Sequence, residues 1–382
     1  MVSNPRIAIV GAGLGGLMLA RMLYLKDVPF LIFDRDESAS HRPQGGMLDL
    51  HVETGQYALR RGGLFEVFLQ FARYEDQGFR LFDKHGALLL EKPDAASGDR
   101  PEIDRGQLRE LLLESIPEDA LRWGHTLRDA EQQGDGYTEL RFDNGLRQRF
   151  ELVVGADGAW SRVRPLVSAA VPDFTGLTLH ELSIPDADTR YPDVAQKVGH
   201  GMLVAKGGQQ TIFAQRNANA HIRVYAALHQ QATHHGEKTK ADLLHDFDGW
   251  DASLLQLLQV AQEPVRPWPI HILPVGHRWA HRDGVTLLGD AAHLMPPAGE
   301  GANLALRDAV DLAEALLDDE DWKAAVRAHE QVMFERAAFS AAEAHKMLLG
   351  DSAEQVQELM QGHLGAEAEE NLSKIDKPGA SF

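Results

Sequence analysis

The sequence predicts an α/β fold: a parallel-sheet domain interrupted by an inserted, mostly antiparallel β-sheet domain and followed by a long C-terminal helix. Three observations predict it. An apolar strand at residues 6–10 runs straight into Gly11-Ala12-Gly13-Leu14-Gly15-Gly16 and then a helical stretch. Strands that end near a carboxylate recur at Asp157 and Asp290. Between them, residues 171–228 alternate with the period of half-buried strands.

The elements follow in order. Residues 6–10, 17–26 and 29–33 read as strand, helix and strand, with Asp34 ending the second strand. Residues 41–51, HRPQGGMLDLH, form a glycine-containing loop into a strand or turn. Residues 53–72 look helical, with a break at Gly62-Gly63. Residues 78–91 suit a hairpin turning at Asp83-Lys84-His85-Gly86. Residues 105–114 are helical, and 121–154 supply strands. Residues 238–260 are helical again, and 264–274 read as a proline-rich crossing. A buried strand at 285–288 precedes helices at 301–316 and 322–349. The tail after residue 350 is acidic, helical at first and then frayed. This gives a nucleotide-binding domain at 1–170, with 76–95 joining the inserted domain. The inserted sheet spans 171–268, the nucleotide domain resumes at 269–320, and a helical segment fills 321–382.

Composition narrows the function classes. The 382 residues can bury a large core, and 44% are apolar, which argues against global disorder. The absence of cysteine removes disulfides, thiolate nucleophiles, Fe–S clusters and thiolate zinc sites. A net charge of −19 disfavours nucleic acid and anionic membranes as partners. The opening MVSNPRIAIVGAG lacks the long apolar run and cleavage site of a secretory leader. A monomeric, cytoplasmic protein is expected.

Gly11, Gly13 and Gly16 match the G-x-G-x-x-G fingerprint of a Rossmann-like fold, with Gly15 inside it. Its glycines permit a tight turn, close approach of a pyrophosphate and close helix–strand packing. Asp34 should take ribose hydroxyls, which does not by itself separate FAD from NAD. Asp157, in GADGAWSRVR, could be an ordinary Asp-Gly turn or part of a site. In GDAAHLMPPAGEGAN at 289–303, an acid at a strand end can accept from a ribose or ribityl hydroxyl. Gly299 and Gly301 let backbone amides approach a ligand at a helix start.

These stretches, with FDRD at 33–36, GGMLDLH at 45–51 and PEIDRGQLRELL at 101–112, resemble the class A flavoprotein monooxygenases. That group includes para-hydroxybenzoate hydroxylase, and the pattern is most similar to its tetracycline-inactivating branch. The resemblance implies FAD as cofactor and NADPH or NADH as co-substrate. Oxygen would add to reduced flavin at C4a, and the hydroperoxide would oxygenate an electron-rich substrate. Asp34 and Arg35 would hold the adenosine end, and Arg105 or Arg109 would reach the pyrophosphate or ribityl region. Asp157 would serve FAD and nicotinamide handling, and Asp290 the ribityl chain. Pro297, Gly299, Gly301, Ala302 and Asn303 would line the isoalloxazine, with Gly46 and Met47 near it. One departure is Glu300, where the family often has glutamine. An inward carboxylate there would disfavour anionic reduced flavin.

Substrate contacts are expected on the inserted sheet. In the tetracycline-inactivating branch a glutamine, an arginine and a histidine from this sheet contact the drug's polar edge. Here His180 or Glu181 falls at the first, Met202 at the second and Arg223 at the third, so a different substrate is expected. Met202, Phe213 and Tyr225 are candidate lining, and Arg223 suits a carboxylate or phenolate unless it sits in a surface ion pair. The implied partners are an aromatic or polycyclic small molecule with an acidic group, and O2. A flavin reductase or dehydrogenase of the same fold, or a tetracycline-inactivating enzyme, is the alternative. The scattered histidines form no metal-ligand pattern, and no catalytic acid or base is nominated.

Overall fold

The computed structural model describes residues 6–41, 46–74, 77–94, 100–229, 238–318 and 321–349. Gly45 and the tail after 349 lie outside the described residues. The chain divides into two compact units. One is drawn from residues 1–77, 95–175 and 269–345, and the other from 78–94, 176–268 and 346–382.

The first unit is built on five parallel strands in the order Val285–Leu287, Leu152–Gly155, Ile7–Val10, Phe30–Phe33 and Leu121–Arg122. Its central strands are buried on both faces, which explains their unbroken apolar runs. Ile7 and Ile9 point to one layer and Ala8 and Val10 to the other, with the two-residue period of a strand. The first layer is helical. The helix Leu14–Tyr24 lies against Glu300–Asp318 through Leu17, Met18, Leu306, Val310 and Ala313. The second layer holds the antiparallel strands Leu127–Gln132, Thr138–Phe142 and Arg147–Phe150, and part of the helix Trp322–Leu349.

Register decides what this unit can do. Val10 aligns with Phe33 on one side and Gly155 on the other, and Gly155 aligns with Leu287. Parallel strands therefore bring Gly11, Asp34, Asp157 and Asp290 to the same carboxyl edge, where ligands of open α/β sheets bind.

The second unit holds most of a seven-stranded sheet in the order Gln262–Ile272, Asp173–Ile184, His221–His229, Gln210–Asn217, Gly201–Gly207, Gly78–Asp83 and Leu88–Lys92. The hairpin at 78–92 is part of it, through a parallel pairing of Gly78–Asp83 with Gly201–Gly207. Helices Pro192–Val198, Lys240–Asp246 and Ala252–Val260 contribute to the apolar layer on one face, formed by Leu182, Ile184, Ile222, Val224 and Ala226. Leu81, Val204, Met202 and Phe213 cluster on the other face.

Two sequence expectations change here. Residues 264–274 are not simply a crossing, because Gln262–Ile272 is a strand at the edge of this sheet. Pro264, Pro267 and Pro269 lack the N–H that a central strand needs, and an edge position tolerates that. The expected run of strands at 171–228 also contains two helices, Ala187–Arg190 and Pro192–Val198. No described helix is long and apolar enough to cross a membrane.

Candidate functional site

The glycine turn is shaped by three kinds of contact. Gly11 has φ +109, and a Cβ there would lie 2.3 Å from the Ala156 carbonyl oxygen. At Gly16 it would lie 2.1 Å from the Gly11 oxygen, so both positions require glycine for packing. Gly15 lets the first helix approach Leu288 and Ala305. Gly13 differs: its backbone is extended, and a Cβ would meet no protein atom within 4 Å. The helix that starts at Leu14 has no side-chain cap and no acid in its first turn, so its amides suit an anionic phosphate.

Asp34 is buried and holds this turn. Its Oδ2 accepts from the Ala12 amide at 2.6 Å and its Oδ1 from the Asp36 amide at 2.8 Å. Each oxygen keeps a further lone pair for a hydroxyl donor. Arg109 is buried too, donating from Nε to the Ala12 carbonyl at 3.0 Å and from Nη1 to the Ala39 carbonyl at 2.8 Å. It braces the turn from beneath. Arg35 is exposed, and Arg105 is half-buried at the start of its helix, its amide donating to the Gly46 carbonyl. Met47 is buried and pairs with Asp104.

In the second motif, Asp157 Oδ2 accepts from the Arg162 amide at 2.7 Å. Its Oδ1 is buried without a hydrogen-bond partner among the described residues. Burial pushes this carboxyl above its ordinary range, and the donors at Ser161 and Arg162 only partly offset it. An orphaned buried acceptor fits a hydroxyl donor from a ligand. Buried Arg164 ties this motif to the next, donating to the carbonyls of Ala159, Ala291 and Asp290 at 2.8, 2.8 and 3.1 Å. Arg164 was not among the site residues expected from sequence, although it stands in the GADGAWSRVR stretch.

In the third motif, Asp290 is half-buried, and its carboxylate accepts no hydrogen bond from the described residues. Behind it, His293 donates from Nε2 to Asp308 at 2.6 Å, and Asp308 also accepts from the Gly289 amide and from Arg336. Pro297 and Gly299 are exposed, while Gly301 and Ala302 are half-buried. Asn303 is fully buried and turned inward. Its Oδ1 accepts from the amides of His51 and Gly55, and its Nδ2 donates to the carbonyls of Asp49 and Gly299. Asn303 therefore braces the 299–303 loop against the 49–55 segment. Glu300 directs its carboxylate to His51 Nδ1 at 3.3 Å. His51 and Asp49 were not among the site residues expected from sequence, although both stand in the MLDLH stretch.

Removal of the Asp290 carboxylate tests its assignment to a cofactor hydroxyl. Asp290→Ala is expected to weaken FAD binding about tenfold, the loss of one charge-assisted hydrogen bond, and to leave apoprotein stability nearly unchanged because no protein donor is orphaned. Fluorescence titration with FAD and thermal unfolding of the apoprotein read the two effects. Unaltered FAD affinity would remove Asp290 from the site.

On the second unit, five of the six expected substrate residues share a face. Val204, Phe213, Tyr225 and Glu181 form one row across the strands, and Met202, Gln215 and Arg223 the next. Arg223 Nη1 donates to Glu181 Oε1 at 3.2 Å, and Trp268 donates to Glu181 Oε2 at 2.7 Å. Burial raises the Tyr225 hydroxyl above its ordinary pKa, and the Glu181 charge adds to it. His180 is the correction. It shares the parity of Leu182 and Ile184, faces the helical layer and is fully buried, with burial holding its imidazole down at about 4. Strand alternation puts neighbours 180 and 181 on opposite faces, so only Glu181 can serve the Met202 face.

These features fit FAD: a glycine turn with open space at Gly13, and, on one sheet edge, a buried Asp157 oxygen and an Asp290 carboxylate that accept no hydrogen bond from the described residues. Comparison with known proteins agrees. A family model described as an FAD binding domain matches residues 5–345. The monooxygenase asqM of Emericella nidulans is 33% identical over 375 residues, covering 82% of this chain and 84% of that protein. HpxO of Klebsiella pneumoniae, solved with FAD and uric acid, superposes with a TM-score of 0.79 at 19% identity, covering 94% of both chains. The tetracycline destructase Tet(55) superposes with a TM-score of 0.74 at 22% identity, covering 95% of each. The chain thus belongs to the FAD binding domain family, among the class A flavin-dependent monooxygenases.

Proposed function

We propose that this monooxygenase takes its electrons from NADPH or NADH and oxygenates an electron-rich aromatic or polycyclic small molecule. Overall, reduced nicotinamide, a proton, O2 and substrate give oxidised nicotinamide, water and a product with one added oxygen. Bound FAD supplies the hydride acceptance and oxygen activation. The protein's own residues bind and orient. Gly11, Gly13, Gly15 and Gly16 with the helix amides take the pyrophosphate, and Asp34 and Arg35 the adenosine end. Arg109 holds the turn in shape, and Arg105 and Asp157 serve the middle of the cofactor. Asp290 takes the ribityl chain, and Pro297, Gly299, Gly301 and Ala302 face the ring system, with Gly46 and Met47 nearby.

The observation that carries the substrate class is the Met202–Phe213–Tyr225 face, apolar and aromatic, bordered by the Glu181–Arg223 pair. Glu181 offsets the Arg223 charge, so this border favours a phenol or enol, which can both donate and accept, over a bare carboxylate. A related protein named 6-hydroxynicotinate 3-monooxygenase, from Pseudomonas fluorescens, supports a hydroxylated aromatic substrate.

The test is NADPH and NADH oxidation with product analysis across phenols, aromatic acids and tetracyclines, with and without O2. An accepted substrate is expected to accelerate nicotinamide oxidation at least tenfold, the gating of reduction that the family resemblance implies. Tetracycline is expected to rank below the best phenol, because Met202 cannot donate to an enolate and an unpaired polar partner costs about 1–3 kcal/mol. Product formed without O2 would overturn the monooxygenase reaction. Tetracycline as best substrate would overturn the assignment of this face.

A further inference from the structure

We propose that His51 is a positioning residue for flavin reduction: held between Asp49 and Glu300 beside the first turn of the helix Glu300–Asp318, it cancels one of two carboxylate charges there and so sets how readily bound FAD is reduced. The inference rests on the reading that FAD lies against the 299–303 loop.

The geometry comes first. His51 Nε2 is 3.0 Å from Asp49 Oδ2, and His51 Nδ1 is 3.3 Å from Glu300 Oε1. Both ring nitrogens thus face a carboxylate. Neutral imidazole carries one N–H, so it would turn a lone pair toward one anion, and only imidazolium donates to both. The charged groups acting on this ring are Asp49, Glu300 and Arg100. Burial alone would push the imidazole down, and Arg100 acts the same way. The two carboxylates outweigh them and hold it at about 9. Burial would likewise push Asp49 up, yet His51 keeps it below its ordinary value.

The cluster is coupled to the loop by short links. The His51 amide donates to Asn303, whose Nδ2 donates to the Gly299 carbonyl. A Cβ on Gly299 would lie 3.5 Å from Asp49 Oδ1. Glu300, turned onto His51, leaves the start of its helix to present amides rather than a free carboxylate. Reduction places negative charge on the flavin, and amides at a helix start favour it while uncompensated carboxylates oppose it. This accounts for the Glu300 departure: its carboxylate is turned onto His51 and is not left free beside the helix start.

The experiment uses holoenzymes in an anaerobic, dye-linked redox titration. His51→Gln leaves two carboxylates without their cation and is expected to disfavour reduced FAD about tenfold, a midpoint shift of about 30 mV negative. Glu300→Gln removes one anion and keeps the cation, so a shift of similar size in the positive direction is expected. The midpoint of the parent should gain an extra pH dependence around pH 9 that His51→Gln lacks. Apoprotein stability gives a readout without flavin. A folded pKa raised above the unfolded value of about 6.5 gives stability that is full below pH 6.5 and fades as pH rises through 9. Midpoints that move in the same direction in both variants, or not at all, overturn the proposal. If His51→Gln does not fold, an unshifted Glu300→Gln is enough to overturn it. A parent chain that binds no FAD would instead sink the reading beneath it.

Discussion

Gly13→Leu is expected to purify colourless and to bind added FAD at least a hundredfold more weakly, while its apoprotein unfolds nearly as the parent does. The reason is the contrast among the three fingerprint glycines. At Gly16 a Cβ would lie 2.1 Å from the Gly11 carbonyl oxygen, so substitution attacks the fold itself. At Gly13 the backbone is at φ −79 and ψ −179, open to any residue, and a Cβ meets no protein atom within 4 Å. A leucine at a helix N-cap costs no more than about 1 kcal/mol. Its side chain instead occupies the space beside the uncapped amides, where a pyrophosphate must approach. A hundredfold loss corresponds to about 2.7 kcal/mol. Fluorescence titration and urea unfolding of the apoprotein separate the two effects. Parent-like FAD affinity in Gly13→Leu would show that the turn does not cradle the cofactor.

Asp308→Ala is expected to destabilise the chain by about 3–5 kcal/mol and to weaken FAD binding with it. Asp308 is 1% exposed and accepts from His293, Arg336 and the Gly289 amide. Breaking a buried pair leaves the partner charges uncompensated, which is far more costly than losing a surface ion pair. Gly289 stands at φ +57 directly before Asp290, so slack there displaces the carboxylate assigned to the ribityl chain. The pH dependence follows from opposed shifts. Burial would raise the Asp308 carboxyl, but His293 and Arg336 hold it well below its ordinary range. His293 is raised, burial being outweighed by Asp308. Asp308's contribution is therefore present above about pH 4 and lost as pH falls through its lowered folded value. His293's contribution is full below about pH 6.5 and lost as pH rises through its raised value. Denaturant unfolding from strongly acidic pH to pH 9 should show both edges in the parent and a smaller acid edge in Asp308→Ala, with the alkaline edge reduced to the part that His51 contributes. A loss under about 1 kcal/mol would mean that the network is not what holds this loop.

Much of this was legible in the sequence because it depends on local chemistry. The fingerprint at 11–16, the helices beginning at Arg105 and Trp322, and the hairpin at 78–92 are written in glycine spacing, apolar period and turn residues. The FAD-dependent monooxygenase class followed from the family resemblance that three ordered motifs carry. The edge strand at 262–272 was obscured by its prolines, whose tolerance depends on what lies beside the strand and not on the strand itself. The choice between Glu181 and His180 was open in sequence, since register alone decides which neighbour faces the helices.

What the sequence determined by itself is therefore the list of parts: a phosphate-binding turn, acids at strand ends, and a helix start flanked by glycines. What only the tertiary structure decided is which parts meet. Parallel register brings Gly11, Asp34, Asp157 and Asp290 to one edge across almost 280 residues of chain. Asn303 reaches back to His51, and His51 meets Glu300 across some 250 residues. Such contacts leave no periodic trace in a sequence, because the energy that makes them comes from burial and pairing between segments that local propensity cannot see.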